Sequence, residues 1–197
     1  FSKIGSYGYF FLRKFNTNSS MYISWNEYNP KNINPFISKQ NFNLPKYFKK
    51  KGKKILKKYK IKKPFICLHN RDDAYLENLG GDGNEHSYRN FKFDDFDKSI
   101  NYLKKLDISS IRIGRKIKNK FYIKNKNFVD MSQKRSNDFN DLFLISECKF
   151  LVSQTSGVAN ISTLFRKKQL LINVIPFNLR EFVEFAPGSK FITKKLY

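Results

Sequence analysis

Apolar and polar positions follow two different periods along this chain, and the change comes at Lys63. Before it, Phe48, Gly52, Ile55, Leu56 and Tyr59 fall on one face of a helix predicted over 43–60, with lysines covering the other face. Asn43 is placed to cap that helix and Pro45 suits its first turn. After Lys63, short apolar runs alternate with stretches of helical spacing. Strands are predicted at Pro64–His69, Ser110–Gly114, Asn127–Met131, Phe150–Ser153 and Gln169–Val174. Between them come helices at Phe93–Leu106, Asn137–Cys148 and Ser156–Phe165, and a long glycine-containing loop over residues 70–92. Such βα alternation implies an α/β, Rossmann-like domain with a mostly parallel, doubly wound sheet.

Residues 1–41 break the pattern. They are rich in Asn, Ser and Lys, with Pro30 and Pro35 interrupting any regular period, and read as a linker or the tail of a preceding domain. Residues 42–197 then form one domain, cut short at its C-terminal side. A chain that opens on Phe1 and stops at Tyr197 reads as a fragment. Core material is ample, since 21 Phe and 11 Tyr make aromatics 17% of the sequence.

The net charge of +23 is unevenly spread. Residues 1–63 hold 16 Lys/Arg against the single acid Glu27, whereas residues 64–197 hold 23 against 15. A basic run of this kind can bind nucleic acid or an anionic membrane. A lysine-biased composition that coats every solvated face accounts for it as well. In that setting the eight arginines carry more information than the 31 lysines, because a planar fork grips phosphate or carboxylate as a lysine cannot. Seven of them lie beyond residue 63. Cys67 and Cys148 sit among apolar neighbours and read as buried free thiols. No apolar run approaches the length of a membrane-spanning helix.

Two strand ends carry candidate chemistry. Phe65-Ile-Cys-Leu-His-Asn-Arg71 ends an apolar strand in a histidine and an arginine. Arg71 can pair with a diphosphate and His69 can donate to it or to a ribose; a histidine packed at the sheet edge and an arginine paired with Asp72 or Asp73 is the alternative. Ser153-Gln-Thr-Ser-Gly157 opens a helix, so Thr155, Ser156 and the first N–H groups make an anion seat. Plain N-capping by Thr155 or Ser156 is the other reading. Asp138 and Asp141 open the helix before that strand, either as dipole partners or as acceptors for a base or sugar edge. The Gly80-Gly-Asp-Gly83 run lacks the spacing of a calcium loop. Absence of a Walker loop, GxGxxG, HExxH or serine triad removes the motif support for other enzyme classes.

A set of segments adds to this reading: Pro64-Phe-Ile-Cys-Leu-His-Asn-Arg-Asp-Asp-Ala-Tyr-Leu76, His86-Ser-Tyr-Arg-Asn90, Ile111-Arg-Ile-Gly-Arg115, Asp130-Met-Ser132, Arg135-Ser-Asn-Asp-Phe-Asn-Asp-Leu-Phe-Leu144 and Cys148-Lys-Phe-Leu-Val-Ser-Gln-Thr-Ser-Gly157. Together they resemble the C-terminal, nucleotide-binding half of bacterial glycosyltransferases of the fucosyltransferase-like GT-B type. The resemblance implies two Rossmann-like domains with the donor held mainly by the C-terminal one. It implies that Arg71 grips the donor diphosphate and that Thr155 and Ser156 seat its phosphates; His69, Arg89, Asn90, Arg112, Asp138 and Gly157 complete the candidate donor or phosphate contacts. The first segment has Asp where fucosyltransferases carry a second basic residue after the arginine. The function so implied is transfer from a nucleoside-diphosphate sugar, GDP-linked in the fucosyltransferase case, to a glycan or lipid-linked acceptor in surface polysaccharide synthesis. It needs no cofactor or metal and is cytoplasmic, with peripheral contact at the inner, anionic face of the plasma membrane. A reading from another class is a non-catalytic basic module for nucleic acid or lipid headgroups, acting through residues 46–63. The glycosyltransferase reading expects no nucleic acid.

Overall fold

The structure, a computed structural model, describes residues 42–197 apart from 73, 75–76, 78–79, 81–86, 116, 133–137, 176–185, 187 and 195–197. The expected tail at 1–41, about half of the long loop including Asp73, and Arg135 and Arg180 lie outside the described residues.

Six strands form one parallel sheet: β1 (Phe65–Leu68), β2 (Ser109–Arg112), β3 (Phe128–Asp130), β4 (Phe150–Ser153), β5 (Lys168–Val174) and β6 (Lys190–Thr193). Their order is β3-β2-β1-β4-β5-β6. The helices among the described residues are α1 (Lys46–Lys58), α2 (Asp97–Lys105), α3 (Asp138–Glu147) and α4 (Gly157–Leu164), with 3-10 turns at Ser87–Arg89 and Phe93–Phe96. The α/β, Rossmann-like, doubly wound expectation holds, and the sheet is wholly parallel among these strands.

The period-2 rule explains the core. In β1, Phe65 and Cys67 join one apolar cluster, with Ile111, Met131, Phe143, Leu144 and Leu151. Ile66 and Leu68 join the other, with Phe93, Phe96, Ile100 and Val152. All four β1 residues are buried because both faces of a parallel sheet are covered. Cys67 and Cys148 are free and buried, and burial first of all pushes the Cys67 thiol upward.

Helix ends differ from the sequence reading. Pro45, not Asn43, is the N-cap of α1, and no side chain caps it; its carbonyl accepts from Lys49 N at 3.0 Å. Three helices end alike. Lys60, Asp107 and Arg166 take positive φ of 53°, 52° and 53°. The next amide bonds back five residues in each case: Ile61 to Leu56, Ile108 to Leu103 and Lys167 to Ser162. This is the Schellman end, here without glycine. Gly52 brings α1 onto α3, where a Cβ would overlap the Phe143 ring. The strand β6, exposed along its length, was absent from the sequence reading because it shows no buried face.

Candidate functional site

Strand order reverses between β1 and β4, which pair at Cys67–Leu151 and Leu68–Val152. Chains leaving those two strands diverge, and ligands of open α/β sheets bind in the resulting crevice. A cavity of about 500 Å³ lies at this end. His69, Arg71, Asp72, Gly114, Arg115, Asp138, Asp141 and Ser156–Val158 contribute to its wall.

Hydrogen bonds tie the two strand ends together. His69 Nδ1 lies 3.1 Å from Ser153 Oγ, and Arg71 N donates to Gln154 Oε1 at 2.8 Å. Ser153 Oγ also donates its proton to Gln154 O at 3.0 Å, so the His69–Ser153 bond takes its proton from Nδ1. That leaves Nε2 as the acceptor nitrogen. Burial, then the charges of Arg112 and Arg71, lower the His69 pKa to about 4. At neutral pH this imidazole is uncharged, and with its N–H turned to Ser153 the other nitrogen can accept from a hydroxyl. Gly114 stands beside the ring with φ +132°, a backbone state that glycine tolerates, and a Cβ there would sit 3.5 Å from His69 Cδ2.

Ser156 is the N-cap of α4 in extended geometry, but its side chain makes no capping bond. Its hydroxyl lies 3.4 Å from Ser153 Oγ instead. Of the two residues offered for plain capping, Ser156 makes no such bond, and Gly157 and Val158 stand at the cavity wall at the positive end of the helix. Thr155 is half-buried beside them. Asp138 sits across the cavity, exposed, with Oδ1 3.3 Å from Arg115 Nη1.

Three of the sequence candidates lie elsewhere or are partly described. Arg112 is 1% exposed and does not line the cavity. Nη2 donates to Asn70 Oδ1 at 3.0 Å, Nη1 donates to Asn119 O at 3.3 Å and meets Asp130 Oδ2 at 3.4 Å, and the guanidinium lies 4.1 Å above the Phe93 ring. Burial lowers its pKa, against the opposing charge of Asp130. Its place in the interior follows from β2 alternation: Ile111 and Ile113 take one face, so Arg112 takes the other, which Phe93 and Phe121 cover. Asn90 belongs to the loop that closes on β5, its carbonyl accepting from Asn173 Nδ2 at 3.4 Å. Arg89 ends a 3-10 turn, and its side chain is outside the description.

Sequence reasoning missed the roles of Ser153 and Gln154 as the clasp between strands. Both are fully buried polar residues at the end of an apolar strand, which was the available signal. Among the described residues no three His, Cys, Asp or Glu side chains gather as a metal site needs, and no helix is long and apolar enough to cross a membrane.

The arrangement defines a doubly wound, Rossmann-like α/β fold with its crevice at the switch point. No protein-family model matches the chain, and no curated protein matches it. The chain is similar in structure to E. coli ADP-heptose LPS heptosyltransferase II, with a TM-score of 0.56 at 9% identity, over 77% of this chain and 44% of that one. The chain thus spans less than half the length of that glycosyltransferase. At this identity the likeness shows the fold. It supports a glycosyltransferase-like fold but not the narrower fucosyltransferase kinship.

Proposed function

We propose that this chain is the donor-binding part of a glycosyltransferase that uses a nucleoside-diphosphate sugar. The observation that carries the reading is the switch-point cavity, where the start of α4 and the chain leaving β1 at Arg71 meet. The likeness to a heptosyltransferase whose name includes a nucleotide-linked sugar supports the same class. A diphosphate seated on Gly157 and Val158 N–H would offset its charge against the helix dipole and Arg71. The same groups would stabilise charge growing on the leaving diphosphate as the glycosidic bond breaks. His69 Nε2 would accept from a ribose or sugar hydroxyl. The acceptor is a glycan or a lipid-linked glycan, and no metal is needed to hold the diphosphate.

Isothermal titration with GDP, ADP and UDP, each in the presence of EDTA, tests this directly. Saturable binding of a nucleoside diphosphate in the chelator is the expected result. No binding of any of the three, or binding seen only after Mn²⁺ or Mg²⁺ is added, would sink the metal-free donor site.

A further inference from the structure

The lysine face of α1 lies apart from the cavity wall, and the way α1 docks locates it. Phe48 and Phe139 rings are 5.7 Å apart, Lys51 Nζ lies 4.9 Å over the Phe139 ring, and Gly52 abuts Phe143. Successive residues of α1 thus meet successive turns of α3, so the two helices run in the same direction. The first turn of α3 carries Asp138 and Asp141 at the cavity wall. The first turn of α1 therefore stands at the same end of the sheet as the cavity.

That end of α1 is unusual in composition. Phe42, Tyr47 and Phe48 are 55%, 72% and 40% exposed. Lys46, Lys50, Lys53, Lys54 and Lys57, at helical spacing, are exposed beside them. No acidic residue interrupts residues 42–63. Packing consumes the Gly52 side of the helix, and Phe48 and Phe42 turn one edge inward, onto Phe139 and Phe165 at 5.7 and 5.5 Å, which leaves the lysines, Tyr47 and the outer edges of the two Phe rings exposed.

We propose that this face docks α1 on an anionic lipid surface, with the aromatic end at the headgroup boundary and the lysines against the lipid charge. Charge complementarity and chemistry both favour lipid. Hydrated point charges suit a diffuse anionic surface, at about 1 kcal/mol per lysine, and exposed Phe and Tyr suit the headgroup boundary. Gripping nucleic-acid phosphates and bases bidentately is arginine's part, and residues 42–63 contain no arginine. Docked this way, α1 would lie along the membrane with the cavity end of the sheet beside the lipid surface, near a lipid-linked acceptor. That last consequence rests on the glycosyltransferase reading; the vesicle binding itself does not.

The test is sedimentation of the full chain with vesicles of phosphatidylcholine alone and of equal parts phosphatidylcholine and phosphatidylglycerol. Binding is expected only to the anionic vesicles and should weaken with salt. Lys50→Glu with Lys54→Glu should reduce it about thirtyfold, on the figure of about 1 kcal/mol per lysine. Tyr47→Ala should reduce it severalfold. Lys98→Glu with Lys105→Glu, on the exposed side of α2 behind the other face of the sheet, makes the same change in net charge and should cost far less. Equal losses in the two charge-reversal pairs would overturn the proposal, as would equal binding to neutral vesicles. Tighter binding to a DNA duplex than to anionic vesicles at the same salt, lost with Lys50→Glu and Lys54→Glu, would also overturn it, in favour of the nucleic-acid module. Unaltered unfolding transitions in all variants keep these outcomes apart from loss of fold.

Discussion

Arg71 and Arg112 come from neighbouring strands of one sheet and looked equivalent in sequence, yet they occupy opposite environments. Arg71 lies three residues beyond the last residue of β1, half-buried at the cavity, its backbone held by Gln154 and by Phe91 N. Arg112 is the last residue of β2 itself, level with Leu68, and is enclosed by Asn70, Asp130 and the Phe93 ring. The difference teaches that position relative to the strand end decides whether an arginine meets the cavity or the core. Within the strand, a side chain must take one of two covered faces. Beyond it, the chain is free to turn over the crevice.

The comparison is most exposed to failure at Arg112. Arg112→Ala strips a buried ionic cluster of its cation and leaves Asp130 and Asn70 without it, so it should cost about 3–5 kcal/mol of stability in urea unfolding. A loss below about 1 kcal/mol would mean that the guanidinium has a route to solvent, and the contrast with Arg71 would collapse.

His69 supplies the next effect. Its folded pKa is about 4, below the ordinary value of 6.5. Between those values the unfolded chain binds a proton that the folded chain refuses, so stability is lost as pH falls from 6.5 toward 4. The loss by pH 5 should be roughly 1–2 kcal/mol after allowance for partial exposure at the cavity wall. Unfolding of His69→Gln over the same pH range isolates it, since that side chain does not titrate. Parallel pH profiles for the two proteins would remove burial of a neutral imidazole from the site.

These two residues also mark what sequence could reveal. Alternation in Ile111-Arg112-Ile113 already placed Arg112 opposite the isoleucines. What alternation could not tell was that the opposite face is also covered, since Phe93 and Phe121 arrive from separate segments. The strand that ends at His69 was plain, because a run of four buried residues has few other homes. The tautomer of His69 was not, because it depends on Ser153, 84 residues away, and on where Ser153 sends its own proton. Helix ends were blurred for a local reason: Lys60, Asp107 and Arg166 do the work that glycine usually signals. β6 escaped because an exposed edge strand carries no hydrophobic alternation.

At the cavity the expected effects fall on ligand, not on stability. Arg71→Lys replaces a fork by a point charge and should weaken nucleoside-diphosphate binding by about tenfold or more. Its unfolding free energy should move by less than about 1 kcal/mol, because lysine keeps the charge and the backbone keeps its bond to Gln154. An unchanged dissociation constant in titration calorimetry would take Arg71 out of the site.

The smallest effect is a coupling. Thr155→Val with Ser156→Ala removes two hydroxyls at the start of α4, and Ser156 is already released from capping its own helix. If these hydroxyls and Arg71 grip one diphosphate, the ligand shifts when either side is removed, and the second loss then costs less than it would alone. The triple change with Arg71→Lys should therefore weaken binding by less than the product of the separate factors, with a coupling of about 0.5–1 kcal/mol. The structural bonds give a matching control: Ser153→Ala breaks the link to His69 and is expected to act on stability as well as affinity, because Ser153 is fully buried between the strands. Strict additivity of the Thr155, Ser156 and Arg71 changes would mean that the start of α4 and the end of β1 serve different ligands. The two sides would then share a crevice in the fold without sharing a site.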